Sequence, residues 1–296
     1  MWIEEYLFYP KTTLQKIVSF VFLPFTFLYC LIVYFKFPKT KKEMGIPIIS
    51  IGNLIVGGSG KTPLSIFLAN NFDKGVVVLR GYGRKSKGTI LVSKWGEILV
   101  DVNQSGDEAQ EIAQKTSACV IVSENREDGI NLGKKLGGKF VILDDGFDKG
   151  FKKLSIVIDV KIKNNFCLPS GGYRYPRSFL KYSDIILEEG KNFVRDVNIP
   201  KCDNCVLISG ISKPERLLEY VKTDKYHFFI DHYEYKKEEL QKLLEKYNCD
   251  TILTTYKDYV KMKNFGLKIK VIELNLKIDN EVIDRISNYI GIPKRI

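Results

Sequence analysis

The stretch Gly57-Gly58-Ser59-Gly60-Lys61-Thr62 packs three glycines, a lysine and a threonine into one short segment. Amides unshielded by side chains, followed by an ammonium and a hydroxyl, are what a triphosphate needs. The amides wrap its oxygens, the lysine reaches the outer phosphates and the threonine hydroxyl ligates Mg2+. The spacing GxxxxGK[ST] asks for glycine at 55, where this chain has Ile55, so the loop is a variant of that cradle. Its nucleotide contacts are expected from Ile55, Val56, Gly57, Gly58, Ser59, Gly60, Lys61 and Thr62. Such a site also needs an acid at the end of a neighbouring strand. "KFVILDDGF" supplies Asp144 and Asp145 as candidate Mg2+ partners; two adjacent carboxylates repel unless a cation or donors compensate.

These groups work only if the chain delivers them to one place. "IPIISIG" at 46–52 is a short β-branched run of the buried parallel type, and "TPLSIFLANNF" from Thr62 has Leu64, Phe67 and Leu68 at helical spacing. The glycines therefore lie at a strand-to-helix corner, the place of a P-loop, and Pro63 fits the first helical turn. Apolar strands are also expected at Val76–Leu79 and Phe140–Leu143. The first is followed by a glycine-punctuated turn carrying Arg80, Tyr82, Arg84, Lys85 and Lys87. "QSGDEAQEIAQKT" puts Asp107 and Glu108 at a helix start, where either could cap the helix or act as an acid or base.

Strand and helix patterns alternate through residue 160, which predicts an α/β fold: a P-loop parallel sheet with flanking helices. A second alternation from "NCVLISGI" to "IKVIELNL" predicts a smaller α/β domain. The polar stretch "EEGKNFVRDVNIPKCD" marks the boundary. The expected division is 1–42, a membrane-associated segment; 43–195, the nucleotide domain; and 196–296, the smaller domain. If the site forms between the two domains, closure would assemble it.

Lys and Arg number 46 against 35 Asp and Glu, for a formal charge of +11, which favours anionic partners. No recognisable nucleic-acid module accompanies it. Residues 17–35, "IVSFVFLPFTFLYCLIVYF", carry no charge, and Lys36, Lys39, Lys41 and Lys42 follow. A helix here would span a bilayer or lie in its face, leaving the rest of the chain on the cytoplasmic side. No cleavage site for a signal peptide follows it. Six cysteines without framework spacing predict thiols in a reducing compartment, with no metal or redox role for "CDNC" at 202–205.

Taken together, "GNLIVGGSGKTP", "RGYGRK", "GDEAQ", "DDGF", "LPSGGYRYPRSFLKYSD" and "ILTTYKDYVKM" resemble, in that order, the tetraacyldisaccharide 4'-kinase family of lipid A biosynthesis. The resemblance covers nearly the whole chain. It implies transfer of the ATP γ-phosphate, with Mg2+, to the 4'-hydroxyl of a tetraacylated disaccharide 1-phosphate at the inner membrane of a Gram-negative bacterium, by a monomer. It also implies that Asp107 and, in "FFIDHYEY", Asp231 and His232 carry the acid/base motifs, with Asp107 and His232 as the dyad. Arg80, Tyr82 and Arg174 become substrate contacts by their motifs, and Arg84, Lys85 and Lys87 candidates for the substrate's 1-phosphate or for acidic lipid head groups. His227 has no motif around it. The chain departs from the family pattern at Asp148 and Lys149, at Tyr175 and at Tyr256. A rival reading is a membrane-associated P-loop ATPase acting as a regulatory or assembly switch. Against it, the lysine that marks the partitioning branch is absent: that position is Val56.

Overall fold

The computed structural model describes residues 2–211, 214–231 and 233–295. Three helices open the chain: α1 (Trp2–Phe8), α2 (Thr13–Val21) and α3 (Leu23–Lys36). The apolar run at 17–35, expected as one helix, is bent by 54° between α2 and α3. Pro24 sits in the first turn of α3, where its ring and missing N–H stop α2 from running on. No single helix among the described residues is long and apolar enough to cross a membrane, while the bent pair together has that length and composition. Burial on this pair is inverted. Gln15, Ser19 and Thr26 face inward, while Ile17, Phe20, Phe25, Phe27 and Phe35 are exposed. Most of the inward polar atoms are paired: Asn164 donates to Ser19 Oγ (3.3 Å), Thr26 to Ser170 Oγ (2.7 Å), and Gln15 Oε1 accepts from Lys11 N (2.8 Å) and Thr12 N (3.1 Å), while Gln15 Nε2 has no partner among the described residues. The bent pair thus turns polar groups inward and aromatics outward, the reverse of a helix packed on a water-soluble core.

The chain then lays down β1 (Ile48–Asn53), α4 (Lys61–Asn71), β2 (Gly75–Leu79), β3 (Ile90–Lys94), β4 (Glu97–Ile98), α5 (Val102–Ser105) and α6 (Asp107–Lys115). β5 (Cys119–Val122), α7 (Arg126–Lys135), β6 (Phe140–Asp144), β7 (Leu154–Ile158) and β8 (Ile185–Leu187) complete an eight-stranded sheet, ordered β4-β3-β5-β2-β6-β1-β7-β8. β5 to β8 along that order are parallel; β3 and β4 form an antiparallel edge. β1, β2, β5, β6 and β7 are buried throughout, which is why they read as unbroken Val, Ile and Leu rather than alternating. The register pairs Ile51 with Asp144, so the loop leaving β1 and the acids ending β6 emerge side by side.

The second sheet takes β9 (Phe193–Asn198), β10 (Cys205–Ser209), β11 (Tyr226–Phe228), β12 (Thr251–Thr255) and β13 (Ile269–Ile278) in the order β11-β10-β12-β13-β9. Helix α8 (Lys237–Tyr247) lies between β11 and β12, and α9 (Tyr256–Met262) between β12 and β13. It is parallel except for β9 against β13. The two sheets share apolar core. Leu276 and Ile278 of β13, with Ile283, Ile286 and Ile290 of the last helix, α10 (Asn280–Ile290), join the cluster that contains Leu64, Leu68 and Phe72. Cys202 and Cys205, expected as thiols, are paired in a disulfide; the turn brings their Cα atoms to 5.9 Å, within bonding range.

Within the second sheet, Asp258 in the first turn of α9 is fully buried. Its Oδ2 accepts from Ser209 Oγ (2.8 Å), Gly210 N (3.1 Å) and Thr255 Oγ1 (2.9 Å), and its Oδ1 from Tyr235 OH (2.8 Å). A buried carboxylate answered by four donors fixes α9 relative to β10 and to the chain before α8. Asp258→Ala leaves those donors unpaired and is expected to lower unfolding free energy by about 3 kcal/mol, read from urea melts.

Candidate active site

The corner after β1 is set by backbone pairing. Val56 N donates to Gly172 O (2.9 Å), Leu54 O accepts from Arg174 N (2.7 Å), and Ile55 bridges to Tyr173. The Ile55 side chain is buried in that core, and neither Ile55 nor Val56 lines the cavity described below, which begins at Gly57. Both residues anchor the loop to the chain at 172–173. From there Gly57 (φ 69°) and Gly60 (φ 91°) take left-handed conformations that favour glycine. Gly60 caps α4, so the helix begins at Lys61 and its amide end faces the loop. Ser59 is buried, and its hydroxyl has no hydrogen-bond partner among the described residues, as suits a group meant for an anion.

Beside the loop, Asp145 has φ 51°, a costly conformation for a residue with a side chain. Arg174 grips it from both guanidinium nitrogens (3.2 and 2.8 Å) and also donates to Asn53 Oδ1 (2.8 Å); Lys61 Nζ stands 3.6 Å away. Burial would raise the Asp145 carboxyl, but these cations outweigh it and hold it well below the usual carboxylate range. Asp144 is in the opposite condition. It is buried, with Ser65 Oγ at 3.4 Å, and its backbone carbonyl accepts from the buried Arg126 (3.2 Å). Burial and the nearby Glu108 charge push its carboxyl up to about 7. A dication is what such a carboxylate lacks. One hydroxyl and one or two carboxylates are also the donor set of a Mg2+ that takes its other ligands from phosphate and water, so Thr62, Asp144 and Asp145 fit that ion.

Asp107 starts α6, almost wholly buried, and its Oδ1 accepts from Glu108 N (3.0 Å). Two lysines of α9 meet it from the second sheet: Lys261 Nζ lies 3.1 Å and Lys257 Nζ 3.9 Å from Oδ2. Lys257 also pairs with Asp231 (3.1 Å) and stands 3.9 Å from Glu108. Burial opposes the Lys257 charge, yet these three acids keep its pKa raised. His232 lies outside the described residues.

A cavity of about 360 Å3 opens between the sheets. Its polar wall is the loop from Gly57 to Thr62 with Glu108, Lys257 and Arg195; Val197, Leu217, Tyr220, Ile272 and Leu274 form its apolar wall. Arg195 of β9 donates to Ser59 O (3.1 Å) and packs on Gly60. A second cavity of about 250 Å3 lies on the other side of the α6 start, lined by Asp107, Lys261, Tyr82, Lys85, Tyr233 and Tyr235. The structure thus brings Lys61, Thr62, Asp144, Asp145 and Arg174 together, with Asp107 across the corner and Tyr82 in the second cavity. Arg80 is exposed on the turn after β2 and lines neither cavity. Arg84 lines neither cavity either: its buried side chain pairs with Glu124 and donates to Gly88 O (2.6 Å). Tyr175 packs among Phe37, Phe147 and Phe179, and Tyr256 donates to Gln114 (3.1 Å). Arg126, Arg195 and Lys261 were not singled out by sequence reasoning. Only Lys261 left a signal, standing four residues after Lys257 in "YKDYVK", which puts two cations on one helix face.

A family profile described as tetraacyldisaccharide-1-P 4'-kinase matches residues 18–201 and 194–291. Tetraacyldisaccharide 4'-kinase of Aliarcobacter butzleri is 48% identical, over 98% of this chain and 97% of its own. The enzyme of that name from Campylobacter jejuni is 45% identical, over 98% and 96%. A crystal structure of LpxK from Aquifex aeolicus in complex with ATP superposes with a TM-score of 0.74 at 27% identity, covering 92% of this chain and 98% of that one.

The state of Asp144 gives a pH prediction. Below about 7 its carboxyl carries a proton that Mg2+ must displace. Affinity for Mg2+ with ATP should therefore fall as pH drops from about 8 to about 6, and binding near neutrality should release a proton. Calorimetry in buffers of different ionisation enthalpy reads both; an affinity independent of pH would contradict the assignment.

Proposed function

This chain belongs to the tetraacyldisaccharide-1-P 4'-kinase family, and from that premise we propose how its own residues perform the reaction. It is an ATP-dependent kinase of lipid A biosynthesis, passing the γ-phosphate to the 4'-hydroxyl of a tetraacylated disaccharide 1-phosphate to form lipid IVA. The observation that carries the assignment of roles is the junction at α6. Glu108 borders the cavity floored by Lys61, and Asp107, one residue away, borders the other. ATP lies along the first cavity, its base against Val197, Ile272 and Leu274 and its phosphates in the P-loop, Gly57–Thr62. The sugar enters the second, whose wall includes Tyr82, Tyr233 and Tyr235.

Phosphoryl transfer asks the protein mainly for positioning and charge neutralisation. Lys61 and the amides of the loop hold the outer phosphates in line with the acceptor. Thr62 and Asp144, with Asp145 alongside, would hold Mg2+, which would supply neutralisation of the triphosphate charge. Arg174 anchors Asp145 and is the arginine at the phosphate end. Asp107, with His232 as its proposed partner, accepts the proton of the 4'-hydroxyl as that oxygen bonds to the γ-phosphorus and ADP departs with the bridging electron pair.

We assign residues 1–42 to membrane attachment, 43–195 to the nucleotide domain and 196–296 to the smaller domain. Closure of the last two completes the site within a monomer. The outward aromatics of α2 and α3 support attachment to the inner membrane on its cytoplasmic face, the side on which ATP is available. The relatives come from Gram-negative bacteria.

Transfer from radiolabelled ATP to the disaccharide 1-phosphate tests these roles. Asp107→Ala is expected to lose about 10²- to 10⁴-fold in kcat with ATP binding retained. Lys61→Ala should lose ATP-dependent transfer on a similar scale, and full transfer by Lys61→Ala would overturn the mechanism.

A further inference from the structure

Lys261 is placed for a task that neither the glycine loop nor the acids perform. We propose that Lys261 is a positioning residue for the transfer, reaching from the second sheet to hold the Asp107 carboxylate where the two cavities meet. The inference rests on the reading of Asp107 as the proton acceptor.

The geometry is specific. Lys261 Nζ is 3.1 Å from Asp107 Oδ2, and both side chains are largely buried, at 13% and 4% exposure. At such burial a charge pair is screened far less than on a surface. The ammonium is itself held, donating to Tyr233 O (3.3 Å) and lying 5.9 Å from the Tyr235 ring centre. Its helix cannot slide, because Asp258, three residues earlier, is locked by four donors. With Oδ1 taken by Glu108 N and Oδ2 by Lys261, the carboxylate is fixed in orientation beside the acceptor cavity. The other charged or titratable groups around Asp107 are Lys257 of α9, Glu108 of α6, Asp231 and Tyr235 from the connection after β11, and Tyr82 and Lys85 across the cavity. His232 belongs to the same connection, outside the described residues. Because Lys261 borders the acceptor cavity and α9 belongs to the second sheet, the contact ties the approach of the two sheets to readiness of the base.

Lys261→Met keeps length and removes charge; Lys261→Gln serves equally if methionine weakens the fold. Either should lower kcat about 10- to 100-fold, the cost of a misplaced group, with KM for ATP nearly unchanged. Loss of the cation makes Asp107 easier to protonate. The acidic limb of the kcat/KM profile should therefore move to higher pH by about one unit, and Lys261→Arg should restore it. A limb identical to wild type, or a loss confined to KM for ATP, would overturn the inference. Asp107→Asn checks the premise separately. Full transfer by that variant removes the base itself, whereas an inactive Asp107→Asn beside a Lys261→Met limb that matches wild type defeats the positioning role alone.

Discussion

A carboxylate taken out of water must be answered by a cation or by hydrogen-bond donors, and four buried or half-buried aspartates organise this protein by meeting that demand in different ways. Asp258 is answered by four neutral donors and becomes structure. Asp145 is answered by Arg174 and Lys61 and is held ionised in a costly backbone conformation. Asp107 is answered from across the molecule by Lys261 and Lys257. Asp144, with a long contact from Ser65 and the charges of Lys61 and Arg126 acting without a hydrogen bond to its carboxylate, is answered least, and burial and Glu108 push its carboxyl up to about 7. The gradient runs from anchored to unsatisfied, and the unsatisfied end is where a dication and a triphosphate would enter.

Both ends of that gradient depend on how the sheets are joined. The β1–β6 register brings the glycine corner and the two acids out together. The return of β13 and α10 into the first core sets the apolar wall of β9 and β13 opposite the corner. Arg195 then spans the gap from β9 to Ser59, so the second sheet touches the loop at one end and Asp107 at the other. The two sheets therefore supply opposite walls of the first cavity, and a change in their spacing is felt at the glycine loop and at Asp107 together.

Much of this was legible in the sequence, for physical reasons. The buried strands Ile48–Asn53 and Phe140–Asp144 are continuous apolar runs, and the glycines and Pro63 punctuate the corner where φ and the helix start demand them. Asp107 and Arg174 were reachable through motif and resemblance. What the sequence concealed is what depends on distance between remote segments. Lys261 and Arg195 look like solvated charges until the second sheet folds against the first. Arg84 looks like a free cation until Glu124 claims it. Ile55 reads as a loop residue by spacing, while its neighbour in space is Tyr173. The charge-free run at 17–35 gave an apolar helix by composition, but the bend at Phe22 is a local effect of Pro24 that hydropathy does not register.

The proposed chemistry requires backbone amides at the β1–α4 corner to grip a triphosphate whose terminal phosphorus faces the Asp107 side, and a structure with Mg2+ and a non-hydrolysable ATP analogue decides whether they do. Phosphate oxygens are expected within hydrogen-bond reach of the amides from Gly58 to Thr62, the base against Ile272 and Leu274, and the γ-phosphorus turned toward the cavity of Asp107 and Lys261. A triphosphate bound away from that corner, or one whose γ-phosphorus points away from Asp107, would contradict that chemistry.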